Sequence, residues 1–410
     1  MLCILLAIGL GFLRKMNTGL VCIGLALLVG RAGGMTDLQI MTGFNSALFL
    51  TLLGVTYLFS IAQANGTLEL VARRAVSCAG RRASMVPLAV FVFSAFLSAI
   101  GPGTIPVIAL MMPFSVALAS EMELSPLLFA QMGILGAAAG GISPIAPTGI
   151  IGATLAAQQG ITGIEMAYFG NSLVALSLWA VALYLVLGGH RIRTKPPASI
   201  QNLPAFDTSQ VVTLVGIAVL VVSVLFFRVN VGLMAFVIAT TLVLLGITHE
   251  TRALTQVPWG TLLLVCGVGV LMEVSVSLGG IRILAAFLAR FMTESTASAV
   301  MALTAGVMSW FSSTSGVVMP TLIPTVTDIV VSVGGSVSKL DLISAITNTA
   351  HVTGSSPVST GGALALAAYA ATTAAPAHKQ HRLFVQMFVA SAGGLLFLSA
   401  LAWLGLYRVF

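Results

Sequence analysis

The stretch GISPIAPTG (141–149) interrupts an apolar run, and GSSPVSTGG (354–362) interrupts another 213 residues later. Each places a Ser-Pro pair, Ser143-Pro144 or Ser356-Pro357, ahead of further breakers: Pro147, Thr148 and Gly149 in the first, Ser359, Thr360, Gly361 and Gly362 in the second. Proline removes a backbone donor and glycine weakens a helix, so each run reads as two half-helices around a break. Two more matches lie in the same order in both halves. FLRKMNTGL (12–20) resembles FFRVNVGL (226–233), and SAIGPGTIPVIALMMP (98–113) runs parallel to SWFSSTSGVVMPTLIP (309–324). A shared order of matches at an offset of about 211 to 214 residues is the mark of an internal repeat.

The solvent for this chain follows from its composition. Of 410 residues 58% are hydrophobic and only 7% charged, against roughly a quarter charged in a soluble domain. Apolar runs of about 15 to 22 residues recur along the whole length, as lipid-spanning helices require. Runs such as VVTLVGIAVLVVSVLFF (211–227) are apolar on every face, which excludes the alternation of a transmembrane barrel. The net charge of +7 sits in short clusters between spans, where it sets orientation and does not point to nucleic acid. The four cysteines lack metal-ligand or disulfide spacing. Arg14 and Lys15 follow the first apolar stretch, an order that does not suit a cleaved signal peptide.

A polar stretch, HRIRTKPPASIQNLPAFDTSQ (190–210), divides the chain. The expected organisation is a first repeat over 1–190, a cytoplasmic linker at 191–208 and a second repeat over 209–410. Apolar segments fall near 2–13, 17–30, 38–63, 67–80, 85–120, 126–159 and 165–188, then near 209–227, 229–247, 259–278, 280–292, 296–333, 339–373 and 383–407. If 85–120 and 296–333 are re-entrant hairpins, each half crosses the bilayer five times. An odd number inverts the second half relative to the first, giving an all-α polytopic protein of two inverted five-span repeats, each with a hairpin and a broken span.

The charges test that path. It puts Arg14, Lys15, Arg73, Arg74, Arg81, Arg82, Arg191, Arg193, Lys195, Arg252, Lys379 and Arg382 on one face, and Arg31, Arg228, Arg282, Arg290, Lys339 and Arg408 on the other. The richer face is cytoplasmic by the positive-inside rule. The first hairpin then enters from the cytoplasm, the second from outside, and both termini lie outside a cell (inner) membrane.

Irregular backbone at membrane depth survives only when buried in protein or lining a hydrated cavity. Four such places are legible: Gly101-Pro102-Gly103-Thr104 and Ser312-Ser313-Thr314 at the hairpin tips, Ser143-Pro144 with Thr148, and Ser356-Pro357 with Thr360. Half-helices ending at mid-membrane present free N–H groups and positive dipole ends. With no Arg or Lys in any break, an anion there would be held by backbone N–H groups, hydroxyls and co-bound cations. These thirteen residues form the expected substrate site, with Asn348 and His351 as coupling candidates and no resident metal or cofactor. Glu273 and Asp328 are expected at the membrane interface.

The opening LLAIGLGFLRKMNTGLVCIGLALLVG and the stretch GGISPIAPTGIIGATLA resemble the malonate/dicarboxylate (MatC-type) branch of the ion transporter superfamily, which also holds the divalent anion/sodium symporters. In the symporters each tip carries Ser-Asn-Thr; here only Ser and Thr of the second tip remain. The resemblance implies a homodimer that moves its hairpins and broken spans as an elevator. The expected function is secondary transport of small organic anions, three- or four-carbon dicarboxylates, driven by a Na+ or proton gradient. The alternative is an inorganic oxyanion or cation/proton exchanger of the same superfamily. No GxSxG, HExxH or P-loop motif points to an enzyme.

Overall fold

The computed structural model describes residues 6, 7, 9, 10, 14, 16–77, 82–192, 203–227, 229–373 and 376–408. Most of the expected 2–13 span, most of the linker, and Lys15, Arg81, Arg193, Lys195 and Arg228 lie outside the described residues. Among the described residues the chain is helical throughout, without a strand. Six helical segments are long and apolar enough to cross a membrane: Asp37–Ala64, Thr104–Glu121, Glu165–Val186, Trp259–Ser277, Thr314–Ser332 and His378–Trp403. Shorter apolar helices accompany them, including Val231–Leu244 and Ala297–Trp310.

Element order recurs along the chain. Elements beginning at Thr18, Asp37, Ser46, Thr67, Val86, Thr104, Pro126, Pro147 and Glu165 have counterparts beginning at Val231, Glu250, Trp259, Gly280, Ala297, Thr314, Lys339, Thr360 and Ala377, each 210 to 213 residues further on. The local causes recur too. Asn17 caps the Thr18–Ala32 helix by accepting the Gly19 N–H at 2.9 Å, and Asn230 caps the Val231–Leu244 helix by accepting the Gly232 N–H at 3.0 Å. A cap of this type contributes about 1 kcal/mol. Asn230→Ala should therefore lower stability by about that amount, read as a small downward shift of thermal unfolding in detergent, and Asn230→Asp should retain most of it.

The halves are interlocked, each outer helix packing on the other half. The Thr18–Ala32 helix crosses Trp259–Ser277, and Val231–Leu244 crosses Ser46–Ala64. Gly19 faces Gly267 at the first crossing and Gly232 faces Gly54 at the second; a Cβ on Gly267 or Gly54 would run into the carbonyl of the facing glycine. Gly19 is the repeat counterpart of Gly232, and Gly54 that of Gly267, so the same contact is made twice with the halves exchanged. Small residues that let backbones approach are what drives helix association where lipid is the competing solvent.

A second group of helices packs around the breaks. Val86–Ala99 packs on Pro126–Gly140, and Ala297–Trp310 on Lys339–Thr353, with Glu165–Val186 and Ala377–Trp403 closing the outside. Phe129, Tyr168, Met111, Met112, Leu97 and Leu118 are fully buried in its core. The start of the second half is tied to the first. Arg74 donates to the Pro204 carbonyl at 2.6 Å and lies over the Phe206 ring at 4.6 Å, and Asn65 donates to the Thr213 hydroxyl at 2.8 Å.

Three boundaries differ from the sequence expectation. The 38–63 segment is two helices, Asp37–Met41 and Ser46–Ala64, because a Thr36/Gln39 capping box starts the first and Asn45 restarts the second by accepting the Leu48 N–H. The last helix begins at Ala377 rather than 383: His378, Lys379, His381 and Arg382 are exposed helical residues capped by Pro376. The second arm of the second hairpin is not a simple helix. It runs as a π turn (Thr314–Val318), a short helix (Met319–Leu322), a 3-10 turn (Ile323–Thr325) and a helix (Val326–Ser332). Pro320 and Pro324 remove donors there, and the Thr321 and Thr325 hydroxyls bond back to Val317 and Leu322 carbonyls.

Candidate functional site

The first turn is built from residues that no side chain could replace. Gly101 (φ 137°) and Gly103 (φ 82°) occupy left-handed backbone. The Phe59 ring fills the space beside Gly101, and the Pro147 ring abuts Gly103. Ser143 in the first break donates to the Ala99 carbonyl at 2.7 Å, fastening the break to the end of the incoming helix. Thr104 starts the outgoing helix with its hydroxyl 3.4 Å from that of Thr148.

The second turn is a more polar version of the first. The Ser309 and Thr314 hydroxyls stand 3.0 Å apart and 2.7 and 2.9 Å from the Ala350 carbonyl. Ser313 accepts the Gly316 N–H at 3.2 Å, and Ser312 donates to the Met308 carbonyl at 2.6 Å. The breaks also match in detail. The Ser143 N–H donates to the Gly140 carbonyl at 2.9 Å and the Ser356 N–H to the Thr353 carbonyl at 2.9 Å.

These four places meet around two small adjoining cavities. One, of about 40 Å³, is lined by Thr104, Ile105, Ile108, Ile134, Ala138, Ser313, Thr314, Ser315, His351, Gly354, Ser359, Thr360 and Gly361. The other, of about 30 Å³, is lined by Pro102, Gly103, Thr104, Pro147, Thr148, Ile151, Val265 and Ser315 among others. Thr104 and Ser315, one from each hairpin, line both. A wider cavity of about 340 Å³ shares Ile151 and Val265 with the second and carries Asn45, Gln158, Gln159 and Glu273. On the opposite flank a cavity of about 190 Å³ shares Ser313, Ser359 and Thr360 with the first and carries Asn17, Thr18 and Ser312.

The electrostatics are set by backbone. No Lys, Arg, Asp or Glu lines the two small cavities or the 190 Å³ one. The element starts Thr104, Pro147, Thr314 and Thr360 all line them, and the positions preceding Thr104 and Pro147 make no side-chain cap. Pro106 and Pro147 carry no N–H and the Gly149 N–H donates to the Gly141 carbonyl at 3.0 Å, so the first-turn N–H groups left to attract negative charge are those of Thr104, Ile105 and Thr148, with the dipole behind them. His351 is buried in the Lys339–Thr353 helix with Nδ1 2.8 Å from the Thr347 carbonyl.

The expected site residues divide accordingly. Thr104, Ser313, Thr314, Thr360 and His351 share the first cavity; Pro102, Gly103 and Thr148 line the second with Thr104; Ser312 lines the flanking one. Gly101, Ser143, Pro144, Ser356, Pro357 and Asn348 line none of the four. The Ser143 hydroxyl is committed to Ala99, and the Ser356 hydroxyl accepts the Val358 N–H at 3.4 Å, so these residues shape the turns. Ser315, Ser359 and Asn17 belong to the linings without standing among the expected residues. Hydroxyls next to a break were the signal for the first two; for Asn17, which stands in the sequence only as part of a repeat match, there was none. Glu273 is exposed and Asp328 half-buried.

Residues 1–141 match the family model of the dicarboxylate carrier protein MatC N-terminus. The match covers 141 of 410 residues and includes the first hairpin. No curated protein matches the chain.

Proposed function

Taking a MatC-type amino-terminal third as the premise, we propose that this multi-pass protein is a secondary carrier that moves three- and four-carbon dicarboxylates across the cell membrane with a cation gradient. The observation that carries the reading is the meeting of Thr104 and Ser315, from hairpins 211 residues apart, in the same pair of cavities with the starts of both second half-helices. A dianion at this place is held by N–H groups and hydroxyls. Without a fixed cation beside it, it is released as readily as it is bound.

The recurrence of elements and the interlocked glycine crossings support two halves of inverted orientation, with both hairpins re-entrant and both termini outside. The cavity sizes support alternating access. A water needs about 10–15 Å³ of cavity space, so cavities of about 40 and 30 Å³ hold a few waters, and a dicarboxylate needs them to widen. The hairpins and broken spans separate on loading and travel against the glycine-crossed helices, which are too tightly packed to slide. In this reading the crossed helices belong to the fixed, dimer-forming part of an elevator.

Proteoliposomes decide it. Labelled malonate or succinate should accumulate saturably and be displaced by unlabelled dicarboxylates. Uptake of sulfate or phosphate with no response to dicarboxylates would replace this reading with the oxyanion one.

A further inference from the structure

We propose that His351 carries the coupling proton: the site binds a dicarboxylate and a proton together, with the imidazole Nε2–H donating to a carboxylate of the bound anion. The inference rests on the carrier reading above and names the driving ion for that same site. It starts from one hydrogen bond. A carbonyl oxygen only accepts, so the 2.8 Å contact between Nδ1 and the Thr347 carbonyl places a hydrogen on Nδ1 in every protonation state. The ring edge bearing Nε2 is left to the cavity that His351 shares with Thr104, Ser313 and Ser315.

In the neutral ring Nε2 is a lone pair, and a lone pair repels a carboxylate. Once protonated it becomes a charged donor at the centre of the anion site. Anion and proton therefore favour each other, and each alone is disfavoured: the anion faces a lone pair, and the imidazolium sits buried without a counter-charge. The balance is simple, since a proton is taken up at Nε2 on one side, released on the other, and no covalent bond to the substrate forms.

Competing groups are few. Among the described residues His351 is the only titratable side chain lining the two small cavities and the 190 Å³ one. Of the elements packed on its helix, Ala297–Trp310, Thr314–Val318, Met319–Leu322 and Pro126–Gly140 carry none. Glu165–Val186 brings Glu165 at its start, Tyr184 far along it, and Tyr168, whose hydroxyl donates to Thr347. Leu406–Arg408 brings Tyr407 and Arg408, Val326–Ser332 brings Asp328, and Ala377–Trp403 bears His378, Lys379, His381 and Arg382 in its first turns. On its own helix, Lys339 and Asp341 lie 12 and 10 residues away at the opposite end, about 18 and 15 Å at 1.5 Å per residue.

The test uses the full-length protein in liposomes with a trapped pH dye, at pH values where the dicarboxylate is fully ionised. Wild type should acidify the lumen on dicarboxylate entry. Its uptake at low substrate should rise about tenfold per unit of external acidification until the site saturates. The residual uptake of His351→Gln should lose the proton signal and the pH slope, and His351→Lys should show a flat profile at a higher level than Gln. Monodispersity by size exclusion separates these effects from misfolding. Wild-type dicarboxylate uptake without proton movement, whether sodium-driven or not, overturns the inference and leaves the carrier standing; so does proton movement that persists in His351→Gln. If His351→Gln does not fold, His351→Asn takes its place with the same expected loss of proton signal and pH slope. Wild type that moves no dicarboxylate at all removes the carrier reading and this inference with it.

Discussion

Valine at Gly54 or at Gly267 is expected to deprive the protein of its fold, and to the same degree at either position. At each, the added carbon meets a backbone carbonyl of the facing glycine, not the end of a movable side chain. Overpacking a core costs about 1–3 kcal/mol when neighbours can shift; a carbonyl held in a helix has little room to do so. Two crossings are at stake because each joins one half to the other. The readout is the monodisperse fraction and the thermal midpoint in detergent. Gly24→Val is the control, since among the described residues nothing stands within 4 Å of a Cβ there. A Gly54 variant that behaves like wild type beside a collapsed Gly267 variant would sink the claim that the crossings are equivalent.

Removing the hydroxyl from Thr104 should cost affinity instead of stability. Thr104→Val keeps the shape and gives up only a 3.4 Å contact with Thr148, at the long limit of a hydrogen bond. A hydrogen bond to a charged group contributes about 1.5–3 kcal/mol, so KM for a dicarboxylate should rise roughly 10- to 150-fold at unchanged thermal stability. Ser315→Ala, in the facing hairpin and lining the same two cavities, should act in the same direction. Ser143→Ala should do the reverse, because its hydroxyl holds the Ala99 carbonyl and lines none of the four cavities: stability falls while KM changes little. Equal KM in wild type and Thr104→Val would remove the two hairpin tips from the substrate's path.

Much of the fold was legible because breakers are local. Gly101, Pro102 and Gly103 cannot sit inside a helix, and the Ser-Pro pairs recur at one offset, so the turns fall where composition places them. Boundaries failed where polar residues mislead in a lipid setting. Thr42 and Gly43 disappear into the apolar window 38–63, and His378 to Arg382 fall outside a span that starts at 383 although they are helical. The irregular arm after Thr314 shows that Pro320 and Pro324 act on hydrogen bonds that hydrophobicity does not report. The hydroxyls at the cavities were legible in part: Thr104, Thr148, Ser312, Ser313, Thr314 and Thr360 line them as expected, and Ser143 and Ser356 do not. Whether Ser315 meets Thr104 while Ser356 turns inward depends on packing between residues about two hundred positions apart.

The reciprocal crossing of the two halves sets a timetable for biosynthesis. The Thr18–Ala32 helix leaves the ribosome early, yet its partner Trp259–Ser277 follows about 240 residues later, roughly 10 to 50 s at 5–20 residues per second. Through that interval Gly19 and its exposed backbone wait in the bilayer unpaired, and the insertion machinery or lipid must shelter a surface that only the second half of the chain can cover.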